Sequence, residues 1–158
     1  MKKHTKKGLG FGLTSGVITT LGLIVGINII TQSRLAVIGS IITIAIADAV
    51  SDGFGIHIVE ETNIKNSKRN IWLASFYTFL AKFIIAGSFI IPVTLFTLQQ
   101  AITISIIWGY FLIIILSYYI ANQRKESALK LISSHIAITS AVLLLVYYIG
   151  KIIPHYLV

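Results

Sequence analysis

LAVIGSIITIAIADAVSDGFGIHIV, residues 35–59, sets the fold class and marks where to look for function. At the helical rise of about 1.5 Å per residue, this run exceeds the roughly 20 residues that cross the hydrocarbon core of a bilayer. It also contains two carboxylates, Asp48 and Asp52, and Glu60 and Glu61 follow directly. Four of the chain's five acidic residues thus fall within fourteen positions, the fifth being Glu126. A carboxylate in hydrocarbon is costly, so intramembrane acids are rare and face a polar pathway or a partner. The cluster points to a cation.

Composition agrees with a membrane-embedded chain. The 158 residues are 56% hydrophobic and 11% charged, with a mean hydropathy of +0.89. A soluble domain of this size could not hide so much apolar surface, whereas a polytopic membrane protein need not. The expectation is an all-α integral membrane protein, with residues 1–158 forming one five-helix domain in the cell membrane and no separate soluble module. The absence of cysteine excludes disulfides, thiolate metal sites and redox motifs, and Met1 is the sole methionine. The net charge of +8 lies at segment ends rather than on a basic face, which argues for lipid and against nucleic acid as a partner.

Four more apolar runs reach spanning length: 9–30, 71–97, 101–121 and 129–149. The first follows Met1-Lys2-Lys3-His4-Thr5-Lys6-Lys7 and superficially resembles a signal peptide. It is longer than the roughly 7–15 residues of a secretory apolar region and lacks a convincing cleavage site, so an uncleaved first span is expected. Pro92 is placed to kink or end the third span near its far end. Ten Lys and Arg fall on one side: Lys2, Lys3, Lys6, Lys7, Lys65, Lys68, Arg69, Arg124, Lys125 and Lys130. The other side has Arg34 and Lys151, and Lys82 lies within a span. This bias predicts a cytoplasmic N-terminus and an external C-terminus.

The first span carries Gly12, Ser15, Gly16, Thr19, Gly22 and Gly26 within about a third of the helix circumference. Small residues at four-residue spacing let helix backbones approach closely. They predict a homodimer through helix 1, or close packing against another helix of the same chain.

Asp48 and Asp52 are four apart and share one helix face, with Asp48 near mid-membrane. Two carboxylates this close suit a hard divalent cation or a shared proton. Lys82, at comparable depth in the third span, is the alternative partner for one of them. A single lysine still leaves a carboxylate over. His57, Glu60 and Glu61 near the cytoplasmic end read as a metal-loading site, or as an acidic helix end balanced by Lys65, Lys68 and Arg69. Ser15 joins the site candidates because it lies on the glycine face. His4, His135 and His155 have no partners at ligand spacing. Asn28, Gln99 and Gln100 are polar groups in or near spans, while Trp72, Tyr118 and Tyr119 read as interfacial anchors.

Residues 12–26, GLTSGVITTLGLIVG, resemble the first helix of the vacuolar iron transporter family. The resemblance covers the first two helices, and the remainder agrees in helix count. It implies a homodimer that moves Fe²⁺ or Mn²⁺ out of the cytosol against protons, along a pathway beside the first helices. Ser15 stands where that family has an aspartate. Asp48-Ala49-Val50-Ser51-Asp52 aligns with its Met-Ala-x-Gly-Glu pattern, so Asp48 replaces a thioether and Asp52 a glutamate. Only residues 60–70 stand in place of its cytosolic metal-binding helices. Exchanging sulfur for carboxylate makes the site harder, favouring Mn²⁺, Mg²⁺ or Ca²⁺ over what a sulfur-containing site would hold.

The function expected is therefore a proton-coupled secondary transporter of a divalent metal, which is cargo rather than cofactor, and not an enzyme. The enzyme alternative is a CDP-alcohol phosphotransferase, which Asp48-x-x-x-Asp52-Gly53 echoes without that family's further Asp-Gly and Ala-Arg elements. His57-x-x-Glu60-Glu61 lacks the second histidine of a zinc protease motif. The remaining alternative is a noncatalytic membrane subunit or assembly factor whose buried charges bind a partner.

Overall fold

The computed structural model describes residues 3–157, which form six helices. These are α1 (Lys3–Thr31), α2 (Arg34–Glu61), α3 (Lys68–Ser88), α4 (Ile90–Leu95), α5 (Leu98–Arg124) and α6 (Ala128–Leu157). Lys2, counted in the charge bias, lies outside the described residues. Since α3 and α4 are two parts of one span, Lys68–Leu95, five helical stretches among the described residues are long and apolar enough to cross a membrane. Most helices outrun the apolar stretches that predicted them, because a helix can continue into its polar flanks.

The break in the third span has a local cause. Pro92 has no N–H to donate to the Ser88 carbonyl, and its ring crowds that turn. The helix stops at Phe89, whose N–H turns back to the Ala86 carbonyl at 3.2 Å. Side chains start the next helices. Ser33 accepts from the Ala36 N–H at 3.3 Å, and Thr97 with Gln100 forms a reciprocal capping box.

Helix α1 is central, packing on α2, α3, α5 and α6. A Cβ on Gly8 or Gly12 would run into the Ala74 or Thr78 carbonyl oxygen of α3, so the two backbones touch at this crossing. Gly16 leaves the space through which Lys82 passes, its missing Cβ standing 3.3 Å from Lys82 Cα and Cγ. Further along, Gly22 and Gly26 face Val142 and Val146 of α6. The small-residue stripe is thus covered by α3 and then by α6. The close approach those glycines permit is used within the chain, against α3 and α6, the second of the two readings that the stripe allows.

Beyond the glycine crossing the core is apolar, with Val17, Leu21, Ile24, Ile41, Phe89 and Ile113 buried together. The outward row of α2, including Ile42, Ile46, Val50, Phe54 and Ile58, is exposed. An apolar row of that length on a free surface suits lipid, not water.

Candidate cation site

Asp48 and Asp52 stand one turn apart on α2, and Lys82 enters between them from α3. Its ammonium contacts Oδ2 of both carboxylates. The Lys82 side chain is 1% exposed, against 29% for Asp48 and 19% for Asp52. Lys82 Nζ also donates to Ser15 Oγ at 2.8 Å, and Ser15 donates to Asp52 Oδ2 at 2.7 Å. Three helices therefore meet at one cluster: Ser15 from α1, two aspartates from α2 and one lysine from α3. Asp48 lies at the middle of α2, about 20 Å from either end at the helical rise.

The two carboxylates are held differently. Asp52 accepts hydrogen bonds from both Lys82 and Ser15. Asp48 Oδ2 touches the ammonium outside hydrogen-bond alignment and has no hydrogen-bond donor, although the atom is buried. The Asp48 side chain also lines an open groove of about 550 Å³ between α1 and α2. The groove runs from Asp48 past Thr43, Ser40 and Gly39 to Thr31, at the end of the bundle away from the amino terminus. Thr43 and Ser40 each donate to a carbonyl of their own helix, at 2.8 and 2.7 Å. Their hydroxyl oxygens keep acceptor lone pairs for a solute in the groove.

Two carboxylates and one ammonium leave a formal charge of −1. Such a cluster is stable in low dielectric only while the cation stays between the acids. The sequence offers Lys82 as the partner of one aspartate; it bridges both. Its ammonium occupies the space between the two carboxylates.

Ser15, Asp48 and Asp52 come together as expected, but His57, Glu60 and Glu61 do not join them or one another. His57 turns toward α3, with Nδ1 3.2 Å from Ser75 Oγ and its ring edge-on to Trp72 at 4.7 Å. Glu61 is exposed. Glu60 is buried, with both carboxylate oxygens occupied: Lys7 at 2.7 Å, His4 Nδ1 at 2.7 Å and Asn66 Nδ2 at 2.8 Å. Of the two readings of this helix end, the contacts of Glu60 match the balanced acidic end: it forms a latch, which ties the start of α1 to the α2–α3 connection. Its partners are Lys7, His4 and Asn66, not Lys65, Lys68 or Arg69. Sequence reading missed His4, whose signal was its position at the same end of the bundle as Glu60, 56 residues away.

Other polar groups stitch helices or ends. His135 meets Ser117 at 2.7 Å, joining α6 to α5, and Gln100 caps α5. Asn28 and Gln99 line a cavity between α1, α5 and α6, at the end of the bundle away from the amino terminus. Among the described residues, no three His, Cys, Asp or Glu side chains converge in a geometry that could hold a metal ion. What converges instead is two carboxylates, a hydroxyl and an ammonium. No protein-family model, curated protein or solved structure matches the chain.

Proposed function

We propose that this chain is a secondary transporter of divalent metal cations of the Fe²⁺ or Mn²⁺ type, exporting metal from the cytosol in exchange for protons. The observation that carries this reading is the convergence of Asp48 and Asp52, at mid-helix depth, on a single cation position, with Asp48 also lining the α1–α2 groove. Lys82 is the resident cation of that position. An arriving metal competes with the ammonium for the two carboxylates, with Ser15 adding a neutral oxygen. When the metal leaves, Lys82 returns, so the carboxylates are not left bare in a medium that penalises unpaired charge. Protonation of either carboxylate weakens its hold on the metal, which is the chemical basis for exchange against protons. An all-oxygen set favours hard ions.

The same reading keeps the amino terminus cytoplasmic, on the ten-to-two bias of basic residues. It also keeps a homodimer of the kind the first-helix resemblance implies. The second copy then lies along the open α1–α2 groove, since α3 and α6 cover the glycines of α1.

Metal-dependent thermal unfolding of the purified full chain tests the binding step. We expect Mn²⁺ and anaerobic Fe²⁺ to raise the unfolding temperature, because a ligand held by the folded state stabilises it. Asp48→Asn and Asp52→Asn should abolish the rise. No shift with Mn²⁺, Fe²⁺, Mg²⁺ or Ca²⁺ would remove the basis for a metal site. One observation favours a second reading, a noncatalytic membrane subunit: Lys82 already fills the cation position. In that case the aspartate variants would lose a partner protein and leave any metal response unchanged.

A further inference from the structure

A second groove lies between α1 and α5, on the end of the bundle that carries the amino terminus. Its volume is about 340 Å³. Leu9 and Leu13 of α1 face Leu116 and Ile120 of α5, all four only half-buried, so the walls form an apolar channel along the helix axes. Gly10 forms part of the wall, and a Cβ there would meet nothing within 4 Å. The mouth has a different character. Lys6 and Arg124 close it, and Tyr119, 45% exposed, stands beside them.

The two cations are still able to take a ligand. Lys6 Nζ donates to the neutral Gln123 Oε1 at 2.8 Å, a bond that leaves its charge uncompensated. Arg124 uses Nε on Glu126 at 2.9 Å, while its terminal nitrogens make no hydrogen bond among the described residues. Lys7, one residue from Lys6, is engaged with Glu60 and points into the latch instead.

We infer that this groove is a binding site for an anionic phospholipid, with the phosphate between Lys6 and Arg124 and an acyl chain along the leucine-lined channel. The assignment follows from charge complementarity at the mouth together with an apolar trough that runs along the axes of two spanning helices. Basic residues beside a spanning helix attract anionic headgroups, while the apolar walls add chain contacts that a diffuse basic surface lacks. The inference is independent of the metal-transport reading.

Native mass spectrometry of the full chain, supplied with equal phosphatidylglycerol and phosphatidylcholine, tests it. Wild type should retain phosphatidylglycerol preferentially. Lys6→Gln with Arg124→Gln should reduce that preference by roughly fivefold for each charge removed. Gly10→Leu should reduce retention with the net charge unchanged, because it fills the trough where space is open. Lys65→Gln with Lys68→Gln, at the same end but outside the groove, should leave the preference intact. Equal retention of the two lipids by wild type would overturn the site. So would an equal loss in the Lys65/Lys68 variant, which would mark a diffuse basic surface. Displacement of the lipid by millimolar inorganic phosphate would also overturn it, by reducing the site to its phosphate contacts.

Discussion

Removing the Lys82 ammonium would leave Asp48 and Asp52 one helical turn apart with no cation between them. Breaking a buried pair from one side costs about 3–5 kcal/mol, more than the attraction itself contributes, because the orphaned charge stays desolvated. We therefore expect Lys82→Met to unfold at markedly lower temperature or denaturant than wild type. We also expect Mn²⁺ to recover much of that loss, since the metal then meets both carboxylates without its tethered competitor. Loss of stability with no metal recovery would make Lys82 a structural counter-ion alone. Much of this site was legible in the sequence. The four-residue spacing put both aspartates on one face, and counting along the spans put Lys82 at their depth. Illegible was the rotation of α3 about its own axis, which decides whether a lysine at the right depth reaches one carboxylate or two. The Glu60 latch was hidden for a related reason: His4 and Glu60 meet only once α1 and α2 are packed.

The glycines of α1 show how much an element's sequence says about its neighbours. Gly12 and Gly16 predicted close backbone approach, and the approach is there, against α3. The stripe carries no label for its partner, so a dimer seam and an internal crossing were equally consistent with it. The two outcomes differ in a matched pair of substitutions. Alanine gains about 1 kcal/mol over glycine in a helix interior from backbone entropy. At Gly10 the added methyl meets open space, so Gly10→Ala should be neutral or stabilising by up to that amount. At Gly12 it meets the Thr78 carbonyl oxygen, which cannot yield without moving α3. Overpacking of this kind costs about 1–3 kcal/mol and outweighs the propensity gain. Thermal unfolding of Gly10→Ala and Gly12→Ala should therefore move in opposite directions. Similar behaviour in both would mean that α1 and α3 are not in backbone contact. The Pro92 break was legible for the opposite reason: it depends on a missing N–H, a property of one residue rather than of a pair.

At the scale of the whole molecule, five spans followed from apolar length alone, because each run exceeds what a bilayer requires. The arrangement of those spans did not, since lipid-facing and protein-facing residues here have nearly the same hydrophobicity. Helix α1 runs through the centre, and α2 and α6 carry long exposed apolar faces. The polar cluster at Ser15, Asp48, Asp52 and Lys82 is thus enclosed by α1, α2 and α3 and meets the groove only through Asp48. That placement gives one carboxylate to the groove and leaves the other fixed by Ser15 and Lys82. Flux of Mn²⁺ and Fe²⁺ into proteoliposomes, driven by a proton gradient of either sign, addresses the assignment most directly when wild type is run beside Asp48→Asn and Asp52→Asn. We expect metal-dependent flux in wild type and a loss of at least tenfold, the equivalent of about 1.4 kcal/mol, in each variant that still folds. No flux of any divalent ion in wild type, or undiminished flux in both variants, would contradict a transport site at these aspartates.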